Sequence, residues 1–167
     1  KDATLIAEYA KSENPPVWKP KAKHLIELQQ LQTTLEGFIV RKTQLSNQLE
    51  AFNSTGIRKS SAIIIIEKEI RHVEGVIAKM EKQMEEIITA HHQQMFARLK
   101  SIPGIGKRTA MLLIVITDGF TRFDTSKQLV GYIGLCPRIY DSGTSVKGKQ
   151  KICKMGMSQA RALLYLC

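Results

Sequence analysis

Residues 63–91, IIIIEKEIRHVEGVIAKMEKQMEEIITAH, contain the most regular hydrophobic pattern in the chain. The apolar seam recurs at intervals of three and four residues and consists of Ile63, Ile66, Ile70, Val73, Ile77, Met80, Met84, Ile87 and His91. This spacing is typical of the a and d positions of a coiled coil. Because a helix rises 1.5 Å per residue, the pattern predicts a helix roughly 40 Å long.

The preceding segment repeats the same spacing. Its seam is interrupted only by Lys42 and consists of Leu28, Leu31, Leu35, Phe38, Lys42, Leu45, Leu49 and Phe52. The stretch between the two seams, NSTGIRKS at residues 53–60, is rich in turn-forming residues. Residues 21–100 are therefore predicted to form a long antiparallel coiled-coil hairpin, in which Lys42 favours one register at some cost in stability. Its flanks stay apolar, so we expect a homodimer or higher homo-oligomer; the alternative is an intrachain pair covered by another domain.

The composition agrees with a mostly α fold. Hydrophobic residues make up 43% of the 167 residues and aromatic residues only 6%, which favours helices over a β-sandwich. The net charge is +10, and residues 101–167 carry +7 of it, with 10 basic and 3 acidic residues. Such an excess favours a polyanionic partner. The alternative is a basic surface that serves only solubility.

The cysteines and histidines form no pattern of metal ligands. Cys136, Cys153 and Cys167 include no CxxC pair and follow no secretory signal, which predicts reduced cytosolic thiols. His91 and His92 are adjacent, whereas a metal pair on a helix needs i, i+4 spacing. His24 and His72 have no partner pattern. The longest strongly apolar run, residues 111–116, is far too short to span a bilayer.

Residues 99–116, LKSIPGIGKRTAMLLIVI, match the helix-hairpin-helix motif of proteins that bind DNA without sequence specificity. Gly104 and Gly106 are expected to adopt positive φ and to let a phosphate approach the backbone. The N–H groups and dipole of the following helix favour an anion. Lys107 and Arg108 place cations at that helix end, which costs stability unless an anion is bound. The alternative is a plain corner between two helices.

The next elements are predicted from their ends. Thr125 or Ser126 is expected to cap a helix over residues 127–133, and Gly134 to end it. Ser158 is expected to cap a last helix over residues 158–166.

The polar loop DSGTSVKGKQK, residues 141–151, places a serine among cations. Residues 138–161 contain six basic residues and one acidic residue. Ser142, followed directly by glycine, has the features of a nucleophile for an anionic substrate. The residues expected to hold the scissile phosphate are Arg138, Lys147, Lys149 and Lys151. Two simpler interpretations compete: the Ser-Gly pair is only a turn, and the cations only bind the DNA backbone.

The two ends of the sequence suggest a piece of a longer polypeptide. The chain starts at Lys1 without a methionine and stops at Cys167 inside an apolar helical pattern. The expected organisation is a remnant of a preceding domain over residues 1–20, the coiled-coil hairpin over 21–100, and a truncated helix-hairpin-helix DNA-binding domain with the serine loop over 101–167.

Three stretches of the chain resemble the DEDD-type insertion-sequence transposases, a family that includes the bridge-RNA-guided serine recombinases. The resemblance is most specific in the C-terminal stretch, residues 102–166. The segments that carry it there are IPGIGKRTAMLLI, DTSKQLVGYIGLCPRIYDSGTS and KGKQKICKMGMSQARALLYL. The opening KDATLIAEYA is similar to the segment that closes the RuvC-like nuclease domain of that family. The heptads between them resemble its coiled-coil linker, so the resemblance covers the whole chain.

The resemblance implies a DNA transposase or site-specific recombinase in the bacterial or archaeal cytosol, at the nucleoid. Ser142 matches the serine thought to attack a DNA phosphodiester and to form a covalent phosphoserine link. Asp2 matches the last acidic residue of a four-carboxylate Mg²⁺ site, which is proposed to complement the serine across subunits. DNA and a guide RNA are the implied partners. Ser145 is a second candidate nucleophile, ranked lower because no glycine follows it.

The resemblance also has a gap. The first three carboxylates are absent from this sequence, and Mg²⁺ prefers several oxygen ligands in octahedral geometry. We therefore expect Mg²⁺ in the full-length parent protein, and neither a cofactor nor metal-dependent activity in this fragment alone.

Two other functions are weighed against this one. Asp124, 18 residues after Gly106, occupies a position reminiscent of the catalytic aspartate of helix-hairpin-helix DNA glycosylases, but Ser126 stands where those enzymes have histidine. A capping or turn role explains Asp124 more simply. The chain is alternatively a non-enzymatic coiled-coil module that binds DNA or RNA and oligomerises.

Overall fold

The computed structural model describes residues 2–14, 20–56, 60–138, 141–142, 146–147, 151–153 and 155–167, and most of them are helical. This confirms the mostly α fold. The helices are α1 (Asp2–Glu13), α2 (Lys23–Asn53), α3 (Ser61–Lys100), α4 (Lys107–Ile116), α5 (Ser126–Ile133) and α6 (Ser158–Tyr165). Four two-residue strands lie between α5 and α6: β1 (Pro137–Arg138), β2 (Asp141–Ser142), β3 (Val146–Lys147) and β4 (Lys151–Ile152).

The two long helices pack against each other in antiparallel directions. Arg41, in the middle of α2, pairs with Glu69 in the first third of α3, with 2.7 Å between Nη2 and Oε1. His24, at the start of α2, lies against His92 near the end of α3. Lys42, the one charged residue of the predicted seam, bonds Glu74 of the facing helix at 2.7 Å. The seam lysine is therefore paired across the two helices.

The predicted seams point inward with one local shift. All eight seam positions of α2 and the first eight of α3 are buried or half-buried. His91 is exposed, however, and the fully buried residue near that end is Ile88 rather than Ile87. The helix leaves ideal geometry at His92, where φ is −136° and ψ is 29°. The change of face accompanies the docking of α4 on this part of α3.

Helix α4 carries the centre of the core. Residues 109–116 are all buried, and α4 contacts α2, α3 and α6. A helix that is apolar on every side needs neighbours on every side. The buried cluster runs without a break from Leu28 in α2 through Met84 in α3 to Ile114 in α4. One flank of the helix pair is therefore covered from within the chain.

Most of the predicted helix ends are confirmed. Thr125 caps α5 in a reciprocal capping box with Gln128, and Gly134 ends α5 in the left-handed conformation with φ 83°. The prediction that Ser158 caps the last helix is wrong, because Met157 is the N-cap and Ser158 is already helical. None of the described helices combines the length and apolarity needed to cross a membrane.

The segment predicted as a polar loop contains antiparallel pairs of residues instead. Strand β1 pairs with β4, and β2 pairs with β3. The Cys153 N–H donates to the Cys136 carbonyl at 2.8 Å and extends the β1–β4 ladder by one step. We call the described residues of these pairs, 136–138, 141–142, 146–147 and 151–153, the ribbon. Sequence periodicity misses it because two-residue strands are too short to show alternation.

Candidate nucleic-acid interface

The turn before α4 has the expected glycine geometry at one of its two positions. Gly104 has φ 88°, which is left-handed, as predicted. Gly106 is extended, with φ −76° and ψ 170°, so the expectation of positive φ is wrong there. Gly106 is the N-cap of α4, and no side chain caps that end. The first N–H groups of α4 are therefore available for an external acceptor.

The space beside Gly104 is occupied by protein. A Cβ at this position would lie 2.2 Å from the carbonyl oxygen of Cys167. The absence of a side chain thus lets the end of α6 pack on the turn. Among the apolar residues around this turn, Ala110 is fully buried, Ile105 is half-buried and Ile102 is 48% exposed.

Both predicted cations at the start of α4 are paired with acids of α3. The Lys107 ammonium bonds the Glu85 carboxylate, and the Arg108 guanidinium bonds the Glu81 carboxylate. The side chains of Lys107 and Arg108 remain 41% and 46% exposed. Exposed pairs of this kind contribute only about 0.2–1 kcal/mol each. A phosphate can therefore compete for these cations without large cost.

The predicted serine lies in the β2–β3 pair of the ribbon. Ser142 lies opposite Val146, and Asp141 lies opposite Lys147. Nearer the base, Arg138 lies opposite Lys151 in the β1–β4 pair. The backbone thus places Lys147 in the same strand pair as Ser142, and Arg138 and Lys151 in the other pair. Lys149 and Ser145 lie outside the described residues.

The base of the ribbon is held by close backbone packing that the sequence did not reveal. A Cβ at Gly134 would lie 2.2 Å from the Met155 carbonyl oxygen, and one at Gly156 would lie 2.3 Å from the Tyr132 carbonyl oxygen. The Arg161 guanidinium donates to the Ile133 carbonyl at 2.8 Å. Gly134, Met155, Gly156 and Arg161 form what we call the ribbon joint. Gly134 and Gly156 were visible in the sequence as possible sites of close backbone packing. The segments that pack against them depend on the tertiary fold.

Three histidines lie together at the end of the helix pair that is opposite the turn between α2 and α3. The sequence showed no partner pattern for His24, but its ring contacts both His91 and His92. The rings of His24 and His91 stack with 4.0 Å between centroids, and Nε2 of His24 lies 3.3 Å from Nε2 of His92. Burial, followed by the charge of His91, lowers the pKa of His24 below 6.5. Burial, followed by the charges of His24 and His91, lowers the pKa of His92. A Cβ at Gly119 would lie 2.7 Å from the His92 ring, so this glycine admits the cluster.

An ion pair between an exposed lysine and a buried aspartate lies near the histidines. Lys21 bonds Asp118 at 2.8 Å, and Gln29 also donates to Asp118. Asp118, with φ 51°, begins the turn after α4. This pair joins the segment before α2 to the turn after α4.

The two remaining acidic candidates are isolated. Asp2 is exposed in the first turn of α1. Asp124 is exposed, and its backbone N–H donates to Gln128 as part of the start of α5, in agreement with a turn role. Among the described residues no group of three or more His, Cys, Asp or Glu side chains is arranged to hold a metal ion. The described part of this chain does not by itself fit Mg²⁺.

The chain is similar to transposases and to proteins named for inverting a gene. The family described as Transposase IS116/IS110/IS902 matches residues 96–167. The chain is 33% identical, over 168 aligned residues, to the pilin gene-inverting proteins of Moraxella lacunata and Moraxella bovis, with 99% of this chain and 50% of each relative covered. It is 29% identical over 103 residues to the transposase for insertion sequence element IS1111A of Coxiella burnetii, with 58% of this chain and 28% of that protein covered.

The extent of these matches limits what they identify. The chain spans about half the length of the two Moraxella relatives. The family match begins near the end of α3 and includes the turn before α4, the ribbon and the ribbon joint. The similarity to the Transposase IS116/IS110/IS902 family is therefore located in residues 96–167 of this chain.

Proposed function

We propose that this chain is part of a DNA transposase or site-specific recombinase. The observation that carries the proposal is the alignment of 99% of the chain with proteins named for inverting a pilin gene. Inverting a DNA segment requires that strands are cut and rejoined. The basic excess of residues 101–167 agrees with a DNA substrate, since phosphate contacts dominate the affinity for nucleic acid.

Ser142 is the proposed nucleophile. Its Oγ attacks the phosphorus of a DNA phosphodiester and its proton passes to solvent, while the leaving sugar oxygen takes up a proton as its bond to phosphorus breaks. A phosphoserine ester and a free hydroxyl result. Attack by the hydroxyl of an exchanged strand reforms a phosphodiester and releases the serine, so no bond is hydrolysed overall. The position of Ser142 on a basic two-stranded ribbon supports this assignment.

The cations of the ribbon have a matching role in this scheme. Charge develops on the phosphoryl oxygens in the transition state, and preorganised cations stabilise it. Arg138 and Lys151 occupy facing positions at the ribbon base, and Lys147 lies one step from the partner of Ser142. We assign these three residues, together with Lys149, to the scissile phosphate and its neighbours.

The start of α4 is the proposed second contact with the DNA backbone, as in a helix-hairpin-helix motif. Gly106 leaves the first N–H groups of the helix without a side-chain cap, and Lys107 and Arg108 flank them with half-exposed cations. Gly104 belongs to the same turn. These contacts carry no base information, so they are assigned to positioning rather than to sequence recognition.

Mg²⁺, the homo-oligomer and the guide RNA belong to the proposal for the whole protein. Asp2 supplies one carboxylate, and an octahedral Mg²⁺ site needs ligands beyond the described residues. The helix pair, interpreted as a coiled coil, is the proposed self-association surface, because Ile64 and Ile65 are 55% and 66% exposed on α3. A guide RNA is the proposed determinant of target choice.

The first test is a search for a covalent protein–DNA adduct. The intact protein, with RNA from its element and Mg²⁺, is mixed with a nicked substrate that blocks religation. We expect an adduct on a denaturing gel that maps to Ser142 by peptide mass, and its complete loss in Ser142→Ala with DNA affinity retained. Ser145→Ala is the matched control in the same loop and keeps the adduct.

Other outcomes of this test separate the competing functions. An adduct that persists in Ser142→Ala and disappears in Ser145→Ala would reassign the nucleophile. Absence of any adduct with strand cleavage intact would indicate hydrolysis at carboxylates. Absence of both, with DNA binding intact, would leave a binding and oligomerisation module.

A further inference from the structure

The residues just before and just after the ribbon lie next to each other. Gly134 precedes its first ladder residue, Cys136, by two positions, and Met155 follows its last, Cys153, by two. The missing side chain of Gly134 makes room for the Met155 carbonyl. Both ends of the ribbon are thus packed against each other in the ribbon joint.

Arg161 of α6 links this joint to the end of α5. Its Nη1 donates to the carbonyl of Ile133, the last residue of α5, at 2.8 Å. The last carbonyls of a helix have no partner within the helix, and a cation there also meets the negative end of the helix dipole. The same nitrogen would lie 2.9 Å from a Cβ at Gly134, so the guanidinium fills the space that the glycine leaves. Arg161 is half-buried.

We propose that Arg161 is a positioning residue for strand cleavage: it locks α5 to α6 at the ribbon joint and so fixes where the ribbon presents Ser142. The inference rests on the proposed role of Ser142. Arg161 acts through the backbone, with no contact to the phosphate. Small misplacements of a nucleophile are costly, because reaction requires a near-attack geometry.

The closing experiment measures the rate of adduct formation at saturating DNA, in a single turnover of the intact protein. We expect Arg161→Ala to slow this step by about tenfold or more, in line with a loss of orientation. Arg161→Lys keeps the charge with a less specific geometry and is expected to recover part of the rate. DNA affinity and its salt dependence stay unchanged. Arg98→Ala, which removes an exposed arginine from the last turn of α3, is the matched control and keeps the rate within about twofold.

A second readout is independent of the chemistry. Hydrogen exchange of the Cys153 amide, which bonds the Cys136 carbonyl, reports on the ribbon base. Arg161→Ala is expected to accelerate its exchange, and Arg98→Ala to leave it unchanged. If no wild-type adduct forms although Arg161→Ala accelerates this exchange, the proposed chemistry fails and the structural role of Arg161 remains.

Three results would overturn the inference. One is an Arg161→Ala protein with the wild-type rate of adduct formation. Another is unchanged exchange at Cys153. The third is a salt dependence of DNA binding reduced by about one ion, which would make Arg161 a phosphate contact. Thermal denaturation of each variant checks that it is folded, and Arg161→Gln repeats the test should the alanine variant not fold.

Discussion

The histidine cluster makes the stability of this chain sensitive to pH. His24 and His92 both have a pKa lowered below 6.5, and burial is the leading cause for each. Between the folded-state pKa and 6.5, the unfolded chain binds more protons than the folded chain. The stabilisation is therefore present above pH 6.5 and is lost as the pH falls through the folded pKa.

We predict that wild-type protein loses a few degrees of melting temperature between pH 7.5 and 5.5, and that His24→Gln loses less. Thermal denaturation followed by circular dichroism at both pH values measures the difference. His72→Gln is the control, since His72 is an exposed histidine elsewhere on α3. An equal pH response in His24→Gln and wild type would contradict the assignment.

At the level of elements, the docking of α4 on α3 brings acids to the proposed DNA contact. Glu81 and Glu85 form ion pairs with Arg108 and Lys107, the two cations that a DNA phosphate would contact. The eight buried residues of α4 hold the helix in place without these pairs. The side chains of Lys107 and Arg108 can therefore exchange partners with no movement of the backbone.

We predict that Glu81→Gln with Glu85→Gln tightens DNA binding by about threefold to tenfold at low salt, because each exposed pair contributes at most about 1 kcal/mol. Fluorescence anisotropy over a salt series measures this, and the gain should shrink as salt rises. Glu86→Gln is the matched control, since Glu86 lies on the same helix and pairs only weakly with Lys82, at 3.9 Å. An equal gain in Glu86→Gln would indicate a general charge effect. If Lys107→Gln with Arg108→Gln leaves affinity unchanged, the start of α4 is not a DNA contact.

The elements were predictable where the information is local. Heptad spacing located both long helices, because side-chain burial in a helix pair follows helical periodicity. Thr125 and Gly134 marked the ends of α5, because caps satisfy backbone groups within a few residues. Ser158 failed as a cap since the path of the chain into α6 is set by the close packing of Gly156 on α5.

The candidate site was predictable in composition but not in arrangement. Ser142 and the cations around it were visible as residue types in one stretch. The acids facing Lys107 and Arg108 and the meeting of His24 with His92 join distant segments. The paired strands around Ser142 are close in sequence but too short to show alternation. His24 and His92 are 68 residues apart in sequence. Such contacts depend on how the helices dock, which no short window of sequence encodes.

For the molecule as a whole, the exposed isoleucines of α3 predict self-association. Ile64 and Ile65 lie in the first turn of α3, close to the turn that joins the long helices. We expect the intact protein to sediment as a dimer or larger species, and Ile64→Lys with Ile65→Lys to shift it towards monomer, because apolar burial at an interface is replaced by two like charges. Ile102→Lys, at a half-exposed isoleucine before α4, is the control. A monomeric wild type at micromolar concentration would contradict the coiled-coil dimer.

The helix pair also has a mechanical consequence. One end of the helix pair is packed against α4, whose residues 109–116 are buried, and the Lys21–Asp118 ion pair lies at this end. The turn at the other end of the helix pair lies about 40 Å away along α3. A rotation of about 5° at the α4 end moves the turn by about 3–4 Å over this length. The pair thus has the geometry of a lever arm: a small rotation beside the proposed DNA contact would become a displacement of several times that size at the tip.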